Sequence, residues 1–328
     1  MIALGFEGTA HTLGVGVVNE KGKVLANVIK QYRTKTGGIH PREASEHHVS
    51  VVGEATSKAF QEAGITREDV GVVCFSQAPG LGPCLRVVAT AARAFSIYNN
   101  TPLVGVNHCI AHVEIGRKLC NSRDPLTVYA SGANTQIIGY QEGRYRVFGE
   151  CLDQGVGNVL DVFARELGYG FPGGPVLDAM AVKGGREYVP LPYPVKGMDL
   201  AFSGLLTEAT AKLKSGKFKK QDLAFSLTEN AFDMLTEVAE RALAHSGKKE
   251  LLLTGGVASS TFLREKMKAM TAPRKVKLKV PPKSVCVDNG AMIAWTGLLM
   301  HEHGAATSLK ESVVLPTQRT DQVMINWR

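Results

Sequence analysis

Ile2-Ala3-Leu4-Gly5-Phe6 opens the chain as an apolar strand and runs into a small-residue loop, Glu7-Gly8-Thr9-Ala10-His11. Leu13 to Val18 reads as a second strand, Asn19-Glu20-Lys21-Gly22 as a tight turn, and Val24 to Ile29 as a third strand. Apolar runs punctuated by Asn and Gly are the pattern of antiparallel hairpins. The layout then recurs. Leu126 to Ala130 is apolar, Ser131-Gly132-Ala133-Asn134 is a polar loop, Gln136 to Tyr140 is a strand, Gln141-Glu142-Gly143 a turn, and Tyr145 to Phe148 a strand. Two copies of one layout imply a duplicated unit.

After each triplet the pattern changes to alternating helices and strands. In the first half the spacing predicts a helix capped by Ser45 and running to about Ala63, a strand Val70 to Phe75, a helix Leu85 to Tyr98 and a strand Leu103 to Val106. In the second half helices fit Asn158 to Leu167, Leu223 to His245 and Thr261 to Met270, with strands Leu251 to Thr254 and Val276 to Val280. Such alternation predicts an α/β fold with mixed sheets. A final helix from about Asn289 is expected to return to the first half. The expected lobes are 1–125 plus 289–328, and 126–288, with a cleft between them, where ligands usually bind.

Composition narrows the function classes. Charged residues at 21% and hydrophobic ones at 44% describe a folded protein rather than a disordered one. No apolar run reaches the roughly 20 residues of a membrane span, and no secretion signal is legible. Six cysteines without a C-x-x-C pair point to reduced thiols and a cytoplasmic setting. A net charge of +8 permits a polyanionic partner without requiring one.

His108-Cys109-Ile110-Ala111-His112 follows Asn107, a helix-capping residue. Spacing of i, i+4 brings both imidazoles to one helix face, where they can share a metal ion or stand as two polar residues. Asp288, before an apolar helix, is either a cap, a ligand or both, and Tyr129 is a further oxygen donor. A zinc protease of the H-E-x-x-H type needs glutamate after the first histidine, and Cys109 stands there instead. Leu253-Thr254-Gly255-Gly256-Val257 and Phe171-Pro172-Gly173-Gly174-Pro175 are glycine loops whose backbones can meet a phosphate, or plain turns. Asp161 and Asp178 can accept from ribose hydroxyls. Ala78 to Pro83 reads as a rigid loop. The turn-rich Gly37 to Glu43, with His40, Glu43, His47 and His48, is a candidate substrate entrance. The basic runs Lys212 to Lys220 and Arg274 to Lys283 are solvated surface or phosphate contacts.

Taken together, Gly5 to His11, Gly38 to Glu43, Asn107 to His112, Ser131 to Gln136, Val195 to Leu200 with Phe202 to Leu206, Gly255 to Ala258 and Asp288-Asn289 resemble one family over nearly the whole chain. It is the threonylcarbamoyladenosine tRNA transferase family, in its archaeal and eukaryotic branch, which forms the catalytic subunit of the KEOPS complex. Older usage calls the family O-sialoglycoprotein endopeptidases. The resemblance implies the two-lobed actin, Hsp70 and sugar-kinase (ASKHA) fold. It implies one divalent metal, iron or zinc, on His108, His112 and Asp288, with Tyr129 a ligand in this branch. It implies an adenine nucleotide lined by Tyr129, Ala130, Ser131, Gly132, Ala133, Asp161, Gly174, Asp178 and Ser260, with Thr9 and His11 approaching the phosphate and Gly255 and Gly256 supplying backbone. The implied reaction moves the threonylcarbamoyl group from threonylcarbamoyl-AMP to the N6 amine of the adenosine beside the anticodon of tRNAs reading ANN codons, with ATP or AMP in the same site. Implied partners are tRNA and KEOPS subunits, including a small kinase-like protein and a small dimerising one, with no membrane. Ala133 stands where the family usually has glycine, Ser260 where it has asparagine, and Asp178 where glutamate is common. Rival readings are an ATP-dependent kinase of the same superfamily, a metalloprotease and a non-catalytic scaffold.

Overall fold

The computed structural model describes residues 1–34, 38–183 and 186–328. The first half contains β1 (Ile2–Glu7), β2 (Thr12–Asn19), β3 (Val24–Gln31), α1 (Pro41–Ala63), β4 (Val70–Ala78), α2 (Gly82–Asn99), β5 (Leu103–Asn107) and α3 (His108–Leu119). Its sheet has the order β3-β2-β1-β4-β5. β1 pairs antiparallel with β2 and parallel with β4.

The second half contains β6 (Leu126–Ala130), β7 (Thr135–Gln141), β8 (Arg144–Glu150), α4 (Val156–Glu166), α5 (Gly174–Val182), β9 (Val195–Lys196), β10 (Asp199–Leu200), α6 (Ser203–Lys214), α7 (Lys220–Ser246), β11 (Glu250–Thr254), α8 (Thr261–Thr271), β12 (Lys277–Lys279) and α9 (Lys283–Cys286). Its sheet has the order β12-β11-β6-β7-β8, with β6 antiparallel to β7 and parallel to β11. Each sheet is therefore an antiparallel triplet extended by two parallel strands. The duplication expected from the hairpins is present in the topology.

α10 (Gly290–Glu302) returns to the first sheet as expected. The approach is close because Gly5, Gly16 and Gly290 carry no side chain. A Cβ on Gly290 would meet the Gly16 amide at 2.2 Å. The helix covers one face of the first sheet with Ala291, Ile293 and Trp295, while Val73, Phe75, Val88 and Ala89 build the core on the other face. The second half has its own core, from Leu126 through Phe163 and Phe232 to Cys286. No helix among the described residues is long and apolar enough to cross a membrane.

Several expected boundaries move. α1 begins at Pro41, not after Ser45, because proline at the first helical position presets φ, and Ser45 donates to the Arg42 carbonyl instead. α2 begins at Gly82 and α4 at Val156, each a few residues early. α6 was not expected: its last turn holds Lys212 and Lys214, which read as part of a basic run. The tail beyond α10 crosses between the sheets. Gln77 donates to the Glu311 and Val313 carbonyls, Thr320 donates to Gln136, and Ile325 N–H reaches Gly143 O at 2.8 Å.

Candidate functional site

α3 begins where β5 ends, and Asn107 fixes the junction. Its side chain accepts from the amides of Cys109 and Ile110 at 3.1 and 3.3 Å. This cap sets the helix phase, so His108 and His112 rise on one face with ring centroids 4.7 Å apart. Both are buried. Asp288 enters from before α10. Its Oδ1 lies 3.5 Å from His108 Nε2 and 3.2 Å from His112 Nε2. The ligand atoms of the three residues all lie within 4.8 Å of one another, a spread one cation can bridge. Asp288 does not cap α10. Asn289 does, accepting from Met292 N–H, and the aspartate is left free to face the histidines.

Charge organises the cluster. Burial works to lower the His108 pKa, but the charge and hydrogen bond of Glu7, then Asp288, raise it to about 9. Burial lowers His112 despite its bond to Asp288. Burial works to raise Asp288, yet the hydrogen bond from His112 and the neighbouring imidazoles hold it well below the usual carboxylate range. Tyr129, at the carboxyl end of β6, completes the wall. Its ring centroid is 5.1 Å from His112, and burial holds its phenol well above its ordinary pKa.

The glycine and polar loops gather around this cluster. The loop expected over Ala78–Pro83 is shorter, Pro79 to Leu81 between β4 and α2, and it holds Thr9 from behind, where Leu81 N–H donates to Thr9 O at 2.7 Å. His11 packs edge-on against Phe171, centroids 5.1 Å apart, so the first hairpin loop touches the second half. The Ser131–Asn134 loop is closed by Ser131 N–H donating to Asn134 O at 2.8 Å. Gly155 backs it, pressed against the Gly132 and Ala133 backbone. Gly255 has φ of 92°, and a Cβ there would lie 2.3 Å from Ala130 O. Gly255→Ala is therefore expected to cost about 1–3 kcal/mol, read as a lowered thermal midpoint. Gly256 and Gly174 face open space.

Asp161 accepts from Gly173 and Gly174 N–H at 2.7 and 3.1 Å, which ties α4 to the start of α5, and burial raises its pKa. Asp178 and Ser260 bond each other. Asp178 also accepts from Thr261 and Phe262 N–H, and Ser260 caps α8 through Leu263 N–H. These two side chains already satisfy one another at the start of α8.

At the expected entrance, Gly37 lies outside the described residues, Glu43 accepts from Tyr32, and His48 is buried against Gly8. Burial, then the charge of His47, pushes His48 down to about 4. Its folded pKa lies below the unfolded one, so the unfolded chain binds the extra proton. Stability from this group is full above about 6.5 and declines as pH falls toward 4. His48→Gln should flatten that part of a stability profile by about 3 kcal/mol.

Two features escaped the sequence. Glu7 is fully buried and lies against His108, and the tail residue Trp327 donates to Glu114 on α3 at 3.0 Å. The signal for Glu7 was a lone charge ending an apolar strand.

The two sheets define the class: an ASKHA-type α/β protein of two related halves. Solved structures agree in fold. HypF from Thermococcus kodakarensis superposes with a TM-score of 0.63 at 16% identity, over 90% of this chain and 47% of that one. Component A of (R)-2-hydroxyglutaryl-CoA dehydratase from Acidaminococcus fermentans gives 0.57 at 13%, over 90% and 97%. Residues 23–295 match the family model TsaD, described as tRNA N6-adenosine threonylcarbamoyltransferase. A protein of that name from Thermococcus gammatolerans is 58% identical over 327 residues and the full length of both chains. A probable bifunctional tRNA threonylcarbamoyladenosine biosynthesis protein from Methanocaldococcus jannaschii is 51% identical over all of this chain and 60% of its own length. The chain belongs to the TsaD family of tRNA N6-adenosine threonylcarbamoyltransferases.

Proposed function

We propose that this chain transfers threonylcarbamoyl from threonylcarbamoyl-AMP to the N6 amine of the adenosine beside the anticodon of tRNAs reading ANN codons. It does so as the catalytic subunit of a KEOPS complex in the cytoplasm, beside a small kinase-like protein and a small dimerising subunit. The lobes are 1–125 plus 289–328, and 126–288, with the end of the tail reaching across to the second. The observation that carries the reading is the convergence of His108, His112 and Asp288 beside the loops of both duplicated hairpins.

The donor set fits a divalent ion, iron or zinc: two buried imidazole nitrogens and a partly buried carboxylate, with an acceptor behind one histidine. His108, His112 and Asp288 would hold it, with Tyr129 as a fourth donor. When bound, the ion supplies Lewis acidity toward an oxygen of the donor. The chain's own residues position the rest. Thr9 and His11 meet the phosphate. Tyr129, Ala130, Ser131, Gly132, Ala133, Asp161, Gly174, Asp178, Gly255, Gly256 and Ser260 line the nucleotide, and the loop amides oppose charge developing on the leaving group. The Ala133 methyl crowds the phosphate side of that loop, and Ser260 reaches less far than an asparagine would. The adenosine nitrogen attacks the carbonyl carbon, the carbonyl–phosphate bond breaks, AMP departs with the electron pair, and the nitrogen sheds one proton. Holding amine and carbonyl together in a water-poor cleft supplies much of the acceleration.

The test supplies labelled threonine as its carbamoyl-adenylate, with tRNA and the partner subunits. Label should appear on tRNA, with AMP released in equal amount. Phosphorylation of a small molecule from ATP, with unlabelled tRNA, would favour the kinase reading instead.

A further inference from the structure

Glu7 ends β1 and is fully buried, yet none of its hydrogen-bond partners among the described residues is a lysine or arginine. Its two oxygens face different groups. Oε1 accepts from Thr9 N–H at 2.8 Å and from Thr9 Oγ1 at 2.7 Å. Oε2 lies 3.0 Å from His108 Nδ1. Thr9 needs only an acceptor, and a neutral amide oxygen would serve it. A buried carboxylate is costly unless something charged or strongly polar answers it. What the carboxylate adds here is the second oxygen, and that oxygen addresses the histidine.

The two histidines are not equivalent. Among the described residues His112 Nδ1 is buried with no hydrogen-bond partner, whereas His108 Nδ1 is met by Glu7. A histidine that ligates through one ring nitrogen is oriented by the acceptor on the other. In the neutral imidazole that a metal takes, an Nδ1 proton directed at Glu7 leaves the lone pair on Nε2, on the side of Asp288. The same carboxylate clamps Thr9, so a single buried group sets both the nucleotide-side loop and one face of the cluster.

We propose that Glu7 is a positioning residue of the metal centre, fixing the tautomer and ring orientation of His108 while holding Thr9 in place. This rests on the metal reading given above.

Glu7→Gln is the informative change, because the two Thr9 donors dictate how the amide sits. Its oxygen must face Thr9, so its NH2 faces His108 Nδ1. The imidazole must then accept at Nδ1 and carry its proton on Nε2, the atom the metal needs. The full chain is stripped of metal and titrated with Zn2+ against a chromophoric chelator, and with Co2+ while the visible ligand-field bands are recorded. Glu7→Gln is expected to raise the Zn2+ dissociation constant about 10–100-fold and to alter the Co2+ bands, with the metal-free thermal midpoint close to that of the unaltered chain. Glu7→Asp keeps the charge but cannot span both partners, and it should weaken Zn2+ too. This second variant serves if the first does not fold. Unchanged Zn2+ affinity and unchanged Co2+ bands in either folded variant overturn the assignment. If the unaltered chain binds neither ion, the metal reading itself falls and this inference with it, a result distinct from variants that bind normally.

Discussion

His112→Ala is expected to lower threonylcarbamoyl transfer to tRNA by about a thousandfold, equivalent to about 4 kcal/mol of transition-state stabilisation. The side chain is fully buried, its Nε2 lies 3.2 Å from Asp288, and its ring packs beside Tyr129. Removing it takes away one of three converging donors and leaves the Asp288 carboxylate, among the described residues, with the longer His108 contact. The pocket left behind sits next to α3's cap, which Asn107 still holds, so the helix itself should persist. The measurement is a single-turnover rate with preformed adenylate, alongside tRNA affinity and bound metal per chain. Loss of rate and metal with tRNA affinity intact assigns the residue to the chemistry. A full rate in a metal-free variant would remove the metal from the mechanism and leave positioning by the loops as the main contribution.

Much of this arrangement was legible because it is local. The triplets β1–β3 and β6–β8 are marked by apolar alternation and by turns at Asn19–Gly22 and Gln141–Gly143, where Gly22, Glu142 and Gly143 take positive φ. His108 and His112 share a helix turn, so spacing alone brought them together. Asp288 stands far along the chain from both, and only the pairing of distant strands brings it near. Its freedom from capping depended on a contest with Asn289 that composition does not decide, since both residues are good caps. Glu7 was visible as a charge, but its partner is 101 residues away. α6 was hidden by its lysines, whose apolar counterparts Leu205 and Ala209 are few. The tail carries no periodicity at all, because it is held by single backbone and side-chain hydrogen bonds along its length rather than by a repeating face.

That tail makes the second large effect. Glu114 lies on α3, half a turn beyond His112, and is buried. Its Oε1 accepts from the Tyr145 hydroxyl of β8 at 2.5 Å and from Trp327 Nε1 at 3.0 Å, and its Oε2 pairs with Arg117. One carboxylate thus joins α3, the second sheet and the tail. Ile325 sits in the same apolar cluster as Tyr129 and Tyr145, and the Arg328 guanidinium lies over Tyr140 at 4.1 Å. Glu114→Ala leaves two neutral donors and a partly buried guanidinium without their acceptor, and breaking one side of such a pair costs about 3–5 kcal/mol. The expected readout is a thermal midpoint lower by several degrees, with faster amide exchange through 320–328 and α3. Glu114→Gln, which keeps an acceptor for Tyr145 and Trp327 but loses the charge facing Arg117, should fall between. An unchanged midpoint and slow exchange in the alanine variant would mean that the Ile325–Gly143 hydrogen bond and the Arg328–Tyr140 contact hold the tail without Glu114, and that α3 keeps its place by packing alone.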